Sequence, residues 1–557
     1  MSDVVKAVVF DEGGAVFNVR SLPPPADDDW APLIQQALAD HTVVFIPAGD
    51  YNLRSSILIA RSGVTLMGAG KSVTRLHAVP TGLEPEPPAI QITGSELLSD
   101  ISIHDLQFVA VTTPRTRSSV EGGTAMVRLS LRNLHLEQMI GLGSFHELHD
   151  FEIRSITGFQ TENGVAFFDS GRGIVTDLRF DTTNEAVDTF NCEDIVVSGV
   201  IATAAETFRD EKNSCAFDNG SSRRITLMDS TVTGFNVGVK VKAEPTGGQP
   251  AVPYHDFLIS NIVVDDVREH GIHVVGSGNN GSRNVQIQGC VVRGDSPKAA
   301  AGIRVGDDDA VTEPLTGMVV AGCTVDIAAP GIDVINVTNP VVEGCQVRST
   351  APPATLPATP TASPTAGVLL RGCTRPRIAE CTVESLGNAA VFVFNSLQPR
   401  VVNVEVLCAD EAGIVVQWDG DDGLDQPNRV AGAIVNGNVV RGYSRAAPRS
   451  PGIAIHLDGV TGSAPYNLVQ LVGNCVYADG DGVKDPAGIV LVSNVPLDFV
   501  RMTENVIYGM ALPIAGQELL GSHSTPTAEQ DPRLFNTIGT GTTTESHSPG
   551  AGKPAEG

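Results

Sequence analysis

Aromatic residues make up only 5% of this 557-residue sequence, with two tryptophans and six tyrosines. A core built mainly on large rings is therefore excluded, and any packed interior must be largely aliphatic. No run of eighteen apolar residues occurs, which removes the usual signature of a membrane-spanning helix, and no membrane partner is expected. Basic residues are scarce too: 37 Lys and Arg stand against 64 Asp and Glu, for a formal charge of −27. Nothing in that balance would neutralise phosphates along a duplex, so nucleic-acid binding is not expected. An anionic ligand would need a local basic pocket within an acidic surface. Long amphipathic helical patterns are nearly absent. The nine cysteines form no Cys-x-x-Cys pair. Six of them (Cys290, Cys323, Cys345, Cys373, Cys381 and Cys475) are expected to share one repeat position as a stack of reduced thiols, not a disulfide framework. The opening residues, Met1 to Lys6, lack the apolar region of a secretory signal. Cytoplasmic residence is the expectation, with virion assembly and non-standard export as the other routes.

What the sequence has in abundance is a repeat. Glycine (58) and proline (35) are plentiful, and a Gly-Ile-x-Val phrase starts at Gly271, Gly302, Gly331 and Gly413, with Ile or Leu in the last place at Gly452 and Gly488. Weaker copies start at Gly164, Ala186, Ser214, Gly238, Gly367 and Ala390. The shortest spacings lie near 22 residues, and the longer ones read as loop insertions into coils. A second phrase lies between the copies: Gly289-Cys290, Gly322-Cys323, Gly344-Cys345 and Glu380-Cys381, each followed by a residue and a valine. Asn438, Cys475 and Asn505 take the matching slot later. Apolar positions recur with period two, so the segments are strands with isoleucine and valine inward. No single strand buries its apolar face alone, and the coils must stack. The expected fold is all-β, a single parallel β-helix.

The start of the chain carries a different signal. Asp27 to Trp30 followed by Leu33 to Leu38 reads as a capped short helix. It leads into Val43 to Ile46, Pro47-Ala48-Gly49-Asp50-Tyr51, and then Val64 to Gly70. Over about residues 16–80 this resembles the opening of pectate-lyase-like superfamily proteins, where a helix plugs the first coil and "PAGxY" begins the wall. The resemblance implies a right-handed parallel β-helix and a bias toward polysaccharide chemistry, without fixing a reaction. The expected organisation is a cap with the first coils over 1–80, the β-helix proper over 81–519, and a disordered tail rich in Gly, Ser, Thr and Pro over 520–557.

If isoleucine and valine point inward, the x positions of Gly-Ile-x-Val-x face out. The third-position column then runs Ala166, Asp188, Ala216, Lys240, His273, Arg304, Asp333, Leu369, Phe392, Val415 and Ala454. The fifth-position column includes Phe168, Phe190, Asp218, Lys242, Arg371 and His456. Charge is concentrated on the coils from Ala186 to Gly331. In this alignment Asp188 and Asp218 differ by one rung and two residues, about 8 Å between backbones from the rung and strand spacings. Such a separation leaves room for a water between two carboxyls, as inverting glycoside hydrolysis requires. Asp188, Asp218, Lys240 and His273 are therefore the catalytic candidates. Lys242, Arg304, Asp333 and Trp418 are the substrate-binding candidates, the cations for a sugar carboxylate and the indole for a sugar face.

The pattern is similar to a polygalacturonase-type site, in which aspartates on adjacent coils precede a Gly-x-Arg-Ile-Lys strand. Gly238-Val239-Lys240-Val241-Lys242 is the nearest match, but Asn219 follows Asp218 where that family has a second aspartate, and His270-Gly271 falls after the lysine strand. Three classes follow: a glycosidic-bond hydrolase, or a polysaccharide lyase using Lys240, Lys242, His273 and Arg304; a glycan-gripping tailspike- or adhesin-like solenoid; and an isomerase, epimerase or cyclase on the same scaffold. Surface charges on solenoids also pair between rungs simply to keep the wall soluble. Asp307, Asp308 and Asp309 are clustered as calcium would need, but such runs are more often solvated turns, so no metal or other cofactor is expected. The expected partner is a poly- or oligosaccharide, and the chain is expected to act as a monomer or homotrimer.

Overall fold

The computed structural model describes residues 16–515 and 537–539, apart from 84–85, 112–116, 207–213, 245–250, 277–280, 297, 308–313, 352–364, 420–431, 447–449, 459–468, 479–485, 494–499, 509 and 511. Parallel strands coil into a right-handed β-helix. One wall, here the front wall, is a parallel sheet including Asn163–Phe168, Glu185–Phe190, Cys215–Gly220, Val237–Lys242, His270–Val274, Ala301–Val305, Ile332–Ile335 and Ala366–Arg371. The other two walls are joined into one sheet, of 31 strands among the described residues, because several strands, such as Arg223–Thr233 and His255–Asp265, bend around the corner between them.

The repeat phrase explains each rung. Ile272, Val274, Val239 and Val241 are fully buried in the core, while the residues between them face out. The small residue that opens each front strand is there because the next rung's backbone passes close by. A Cβ on Gly271 would lie 2.6 Å from the carbonyl oxygen of Gly302, and one on Gly302 would lie 2.7 Å from that of Gly331.

The corner after the second wall also repeats. Its leading residue has positive φ at Gly289, Gly322, Gly344, Glu380, Gly437, Gly473 and Glu504, and the residue after it points into the solenoid. Cys290, Cys323, Cys345 and Cys381 fill that slot, each thiol donating to a carbonyl of the rung before and to one two residues back. Asparagines then take over. Asn438 Nδ2 donates to Asn474 Oδ1 (2.9 Å), and Asn474 Nδ2 donates to Asn505 Oδ1 (2.9 Å). Two expectations are corrected here. Cys373 sits at another corner, where its backbone N–H meets Ser396, and the slot assigned to Cys475 belongs to Asn474, one residue earlier. All nine cysteines are free thiols.

The N-terminal helix, Ala31–Asp40, buries Ala31, Ile34, Ala37 and Leu38 against the first coil. Asp29 Oδ1 accepts from the Ala31 backbone N–H at its start, and Arg61 donates to the Leu38 and His41 carbonyls at its end. Arg117, 1% exposed, donates to the carbonyls of Leu53, Val79, Pro87 and Pro88, and so fastens the first coils together. Within the stretch expected as a tail, 520–557, the strand Thr537–Gly539 pairs with Val506–Tyr508; the rest lies outside the described residues, as do Asp308 and Asp309.

Candidate functional site

The register of the front wall decides which side chains meet. Asp188 pairs directly with Asp218, Asp218 with Lys240, Lys240 with His273, His273 with Arg304 and Arg304 with Asp333. All six therefore occupy one outward column on successive rungs. The two-residue stagger expected between Asp188 and Asp218 is not there, and neither is the 8 Å separation drawn from it. Adjacent rungs lie about 4.8 Å apart. A repeat that begins at Ser214 is two residues out of register. Ala216 takes the small-residue slot, because its neighbour Phe217 pairs with Val187 and Val239.

Two acids stacked on adjacent rungs are costly if both are charged. Burial, then the neighbouring Asp218 and Glu185, push the Asp188 carboxyl up to about 8. Burial, then Asp218, pushes Glu185 up to about 7. Near neutrality Asp188 therefore keeps its proton. Asp218 is held differently: Lys242 Nζ donates to its Oδ2 at 2.7 Å and also reaches Glu244 Oε1 at 2.5 Å. The remaining oxygen, Asp218 Oδ1, is buried and finds no hydrogen-bond partner among the described residues. A small cleft of about 60 Å³ opens beside Asp188 and Glu185, floored by Ser144, Asn163 and Ala166.

On the next rungs the sign reverses. Lys240, His273 and Arg304 follow one another, and Asp307 draws on the last two, at 3.4 Å from His273 Nε2 and 3.9 Å from Arg304 Nε. His270 lies on the same strand as His273 with ring centroids 4.3 Å apart. Burial, then His273 and Arg304, lower His270 to about 2, so it stays neutral. The chain segments entering and leaving this part of the wall are long, as between Ala204 and Cys215, Lys242 and His255, Val274 and Arg283, and Val305 and Leu315. The corner between the other two walls stays short.

Two candidates do not join the column in a binding role. Asp333 is 3% exposed and is gripped by Arg371, whose Nη2 lies 3.0 Å from Asp333 Oδ2; burial and this ion pair turn it away from a ligand. Trp418 follows inward-facing Ile414 and Val416 on its strand and packs on the main core. It is also seven rungs from Asp218, about 34 Å at the rung spacing. Beyond Asp333 the outer column becomes apolar, and Leu369, Phe392, Val415 and Ala454 belong to a second buried cluster. Two groups the sequence reading passed over are Glu185 and Glu244. Neither falls on an x position of the repeat phrase.

A larger groove of about 400 Å³ lies around the corner, lined by His149, Glu193, Arg223, His255 and Arg283. Much of its charge is spent in rung-to-rung pairs such as Arg223 with Glu193 (2.6 Å).

The fold thus defines a right-handed parallel β-helix protein with an acid–base cluster on one wall. Residues 255–457 match the family described as "Right handed beta helix region", in agreement with the pectate-lyase-like resemblance. No curated protein matches in sequence. Among solved structures, the catalytic unit of a GH87 alpha-1,3-glucanase from Streptomyces thermodiastaticus is 15% identical over 66% of this chain and 70% of its own, with a TM-score of 0.45. Bacteriophage CBA120 tailspike protein 3 is 12% identical over 82% of this chain and 63% of its own, with a TM-score of 0.42. DFA-IIIase from Arthrobacter chlorophenolicus is 12% identical over 72% of this chain and 94% of its own, with a TM-score of 0.35. With every one of these scores below 0.5, the reaction has to be argued from the side chains of this chain alone.

Proposed function

We propose that this protein is a carbohydrate-active enzyme that cleaves a glycosidic bond on the front wall, with Asp188 as general acid. The observation that carries the reading is the stacked pair of Asp188, which holds a proton to about pH 8, and Asp218, which is bound by Lys242. Carboxyls whose surroundings set them to different tasks are the usual acid and charge-stabilising members of a glycosidase pair. Asp188 gives its proton to the leaving oxygen as the bond from the anomeric carbon breaks. Asp218, steadied by Lys242, faces the positive charge that grows on the sugar ring. Water then supplies the hydroxyl at the anomeric carbon, and its remaining proton restores the acid. Lys240, His273 and Arg304 suit a substrate carboxylate on the far side of the cut.

Lys240 and Arg304, with His273 between them, favour one second reading, β-elimination from a uronate. A screen of the purified protein on acidic and neutral glycans, read by product mass, separates the readings. Hydrolysis adds one water to the summed products. Elimination adds none and leaves an unsaturated end, and isomerisation leaves the mass unchanged. Binding without any product would sink the enzymatic reading and leave a glycan-gripping solenoid.

A further inference from the structure

Alongside the charged column, two residues further along each strand, runs a second outward column. His146 pairs with Phe168, Phe168 with Phe190, and Phe190 with Gly220, the neighbour of Lys242. The His146 and Phe168 rings stack at 4.7 Å between centroids and 13° between planes, and the Phe168 and Phe190 centroids are 6.2 Å apart. His146 is exposed, and both phenylalanines are half-buried. Large rings on an outer wall call for an explanation in a chain this poor in aromatics. Stacking the rungs does not require them, because the inward side already has its own pair, Phe145 over Phe167 at 6.1 Å.

The stair has a low floor beside it. Ser144 and Ala166 occupy the neighbouring column on the same rungs, and the cleft they floor ends at Glu185 and Asp188. At the other end Gly220 has no side chain to obstruct the Phe190 ring; a Cβ there would lie 2.8 Å from Phe190 Cδ2. The front wall is thus asymmetric about the carboxyl pair, with rings toward the N-terminal rungs and cations toward the C-terminal ones.

We propose that His146, Phe168 and Phe190 form a sugar-stacking platform that carries the apolar faces of uncharged sugar rings on the N-terminal side of Asp188. Flat amphipathic ligands are commonly held in this way, with apolar contact on one face and polar groups at the edge. Here the polar edge is Asn163, Glu185 and Asp188. The platform rests on the proposed glycan-cleaving site, and it sets the direction in which a chain lies along the helix axis.

The test measures affinity by calorimetry on the Asp188→Asn protein, expected to slow turnover, using neutral gluco-oligosaccharides and uronate oligosaccharides of defined length. Phe168→Leu and Phe190→Leu keep an apolar side chain on the wall and remove the ring. Each should weaken binding roughly three- to tenfold without moving the melting temperature. Phe190→Tyr, which keeps a ring, should bind as tightly as the parent. Leucine variants that bind as well as the parent overturn the platform and leave the cleavage reading standing. A tyrosine variant as weak as the leucine one also overturns it. No binding to any oligosaccharide overturns both.

Discussion

Asp188 sits directly over Asp218 on adjacent rungs of the front wall, acid upon acid. The corner after this wall shows what the fold does when charge serves only to hold rungs together. There Arg128 meets Asp100, Arg172 meets Asp150 and Arg224 meets Asp194, each at 2.6 Å, in strict alternation of sign. A like-charged pair breaks that rule, and its cost is met by leaving a proton on one partner.

Replacing Asp188 with asparagine should abolish the acid while keeping the shape of the wall. The expected loss in turnover on a cleaved glycan is about 10²- to 10⁴-fold, with unchanged circular dichroism. Turnover within a factor of two of the parent would remove Asp188 from the reaction.

The same carboxyl predicts two pH effects. As general acid it must be protonated, so turnover should fall as pH rises through about 8. Stability should fall over an earlier span. The folded-state value of about 8 lies above the ordinary 3.8, so between these limits the unfolded chain holds fewer protons than the native one. Stability is then complete below about 3.8 and declines toward 8. The Asp188→Asn protein lacks this decline. Its melting temperature should gain on the parent by on the order of 2 °C or more across the window, and a gap that does not change with pH would contradict the assignment.

Lys242 is the cation that Asp218 and Glu244 share, at 2.7 and 2.5 Å. Lys242→Met leaves both acids beside Asp188 and Glu185 with that charge gone. We expect a loss of about 3 kcal/mol in denaturant unfolding, partly recovered in the Asp218→Asn, Lys242→Met double variant. A single variant as stable as the parent would show that the ion pair is not what holds this cluster.

Asn474 lies in the middle of the asparagine ladder, donating to Asn505 and to the Val435 carbonyl (2.8 Å) and accepting from Asn438. Asn474→Ala should cost about 2–4 kcal/mol, since it strands several buried partners. In a solenoid the damage stays local. Hydrogen exchange should therefore accelerate in the strands Val469–Val472 and Val500–Thr503 and remain slow near Asp188.

The fold was legible because the physical demands of a coil are short-ranged. Ile272 and Val274 alternate, Gly271 yields space to the next rung, and each demand leaves a mark within five residues. The register of the site was harder to read. Ala216 satisfies the small-residue slot without a glycine to announce it, and a two-residue slip there put Asp218 in the wrong column. The corner ladder failed by one residue for a related reason: Asn474 and Cys475 are adjacent, and a run of cysteines had suggested the wrong one. Trp418 was misplaced because a lone tryptophan near acids looks like a sugar platform, while the alternation through Ile414 and Val416 already pointed it inward. Phe168 and Phe190 are visible in the fifth-position column of the sequence, but nothing local shows that their rings stack across rungs. Glu185 and Glu244 were hidden because they lie just outside the phrase that defines the rung.

Each coil contributes one residue to every column, so the front wall behaves as a ruled page on which whole lines are added or removed. Excising residues 215–236 in frame would delete the line bearing Asp218 and lower Lys240 onto Asp188, turning an acid–acid neighbour into an acid–base one without disturbing the lines above or below. The reach of the recognition surface, and the order of chemical groups along it, can therefore change by complete turns of the solenoid while the packing of each turn stays the same.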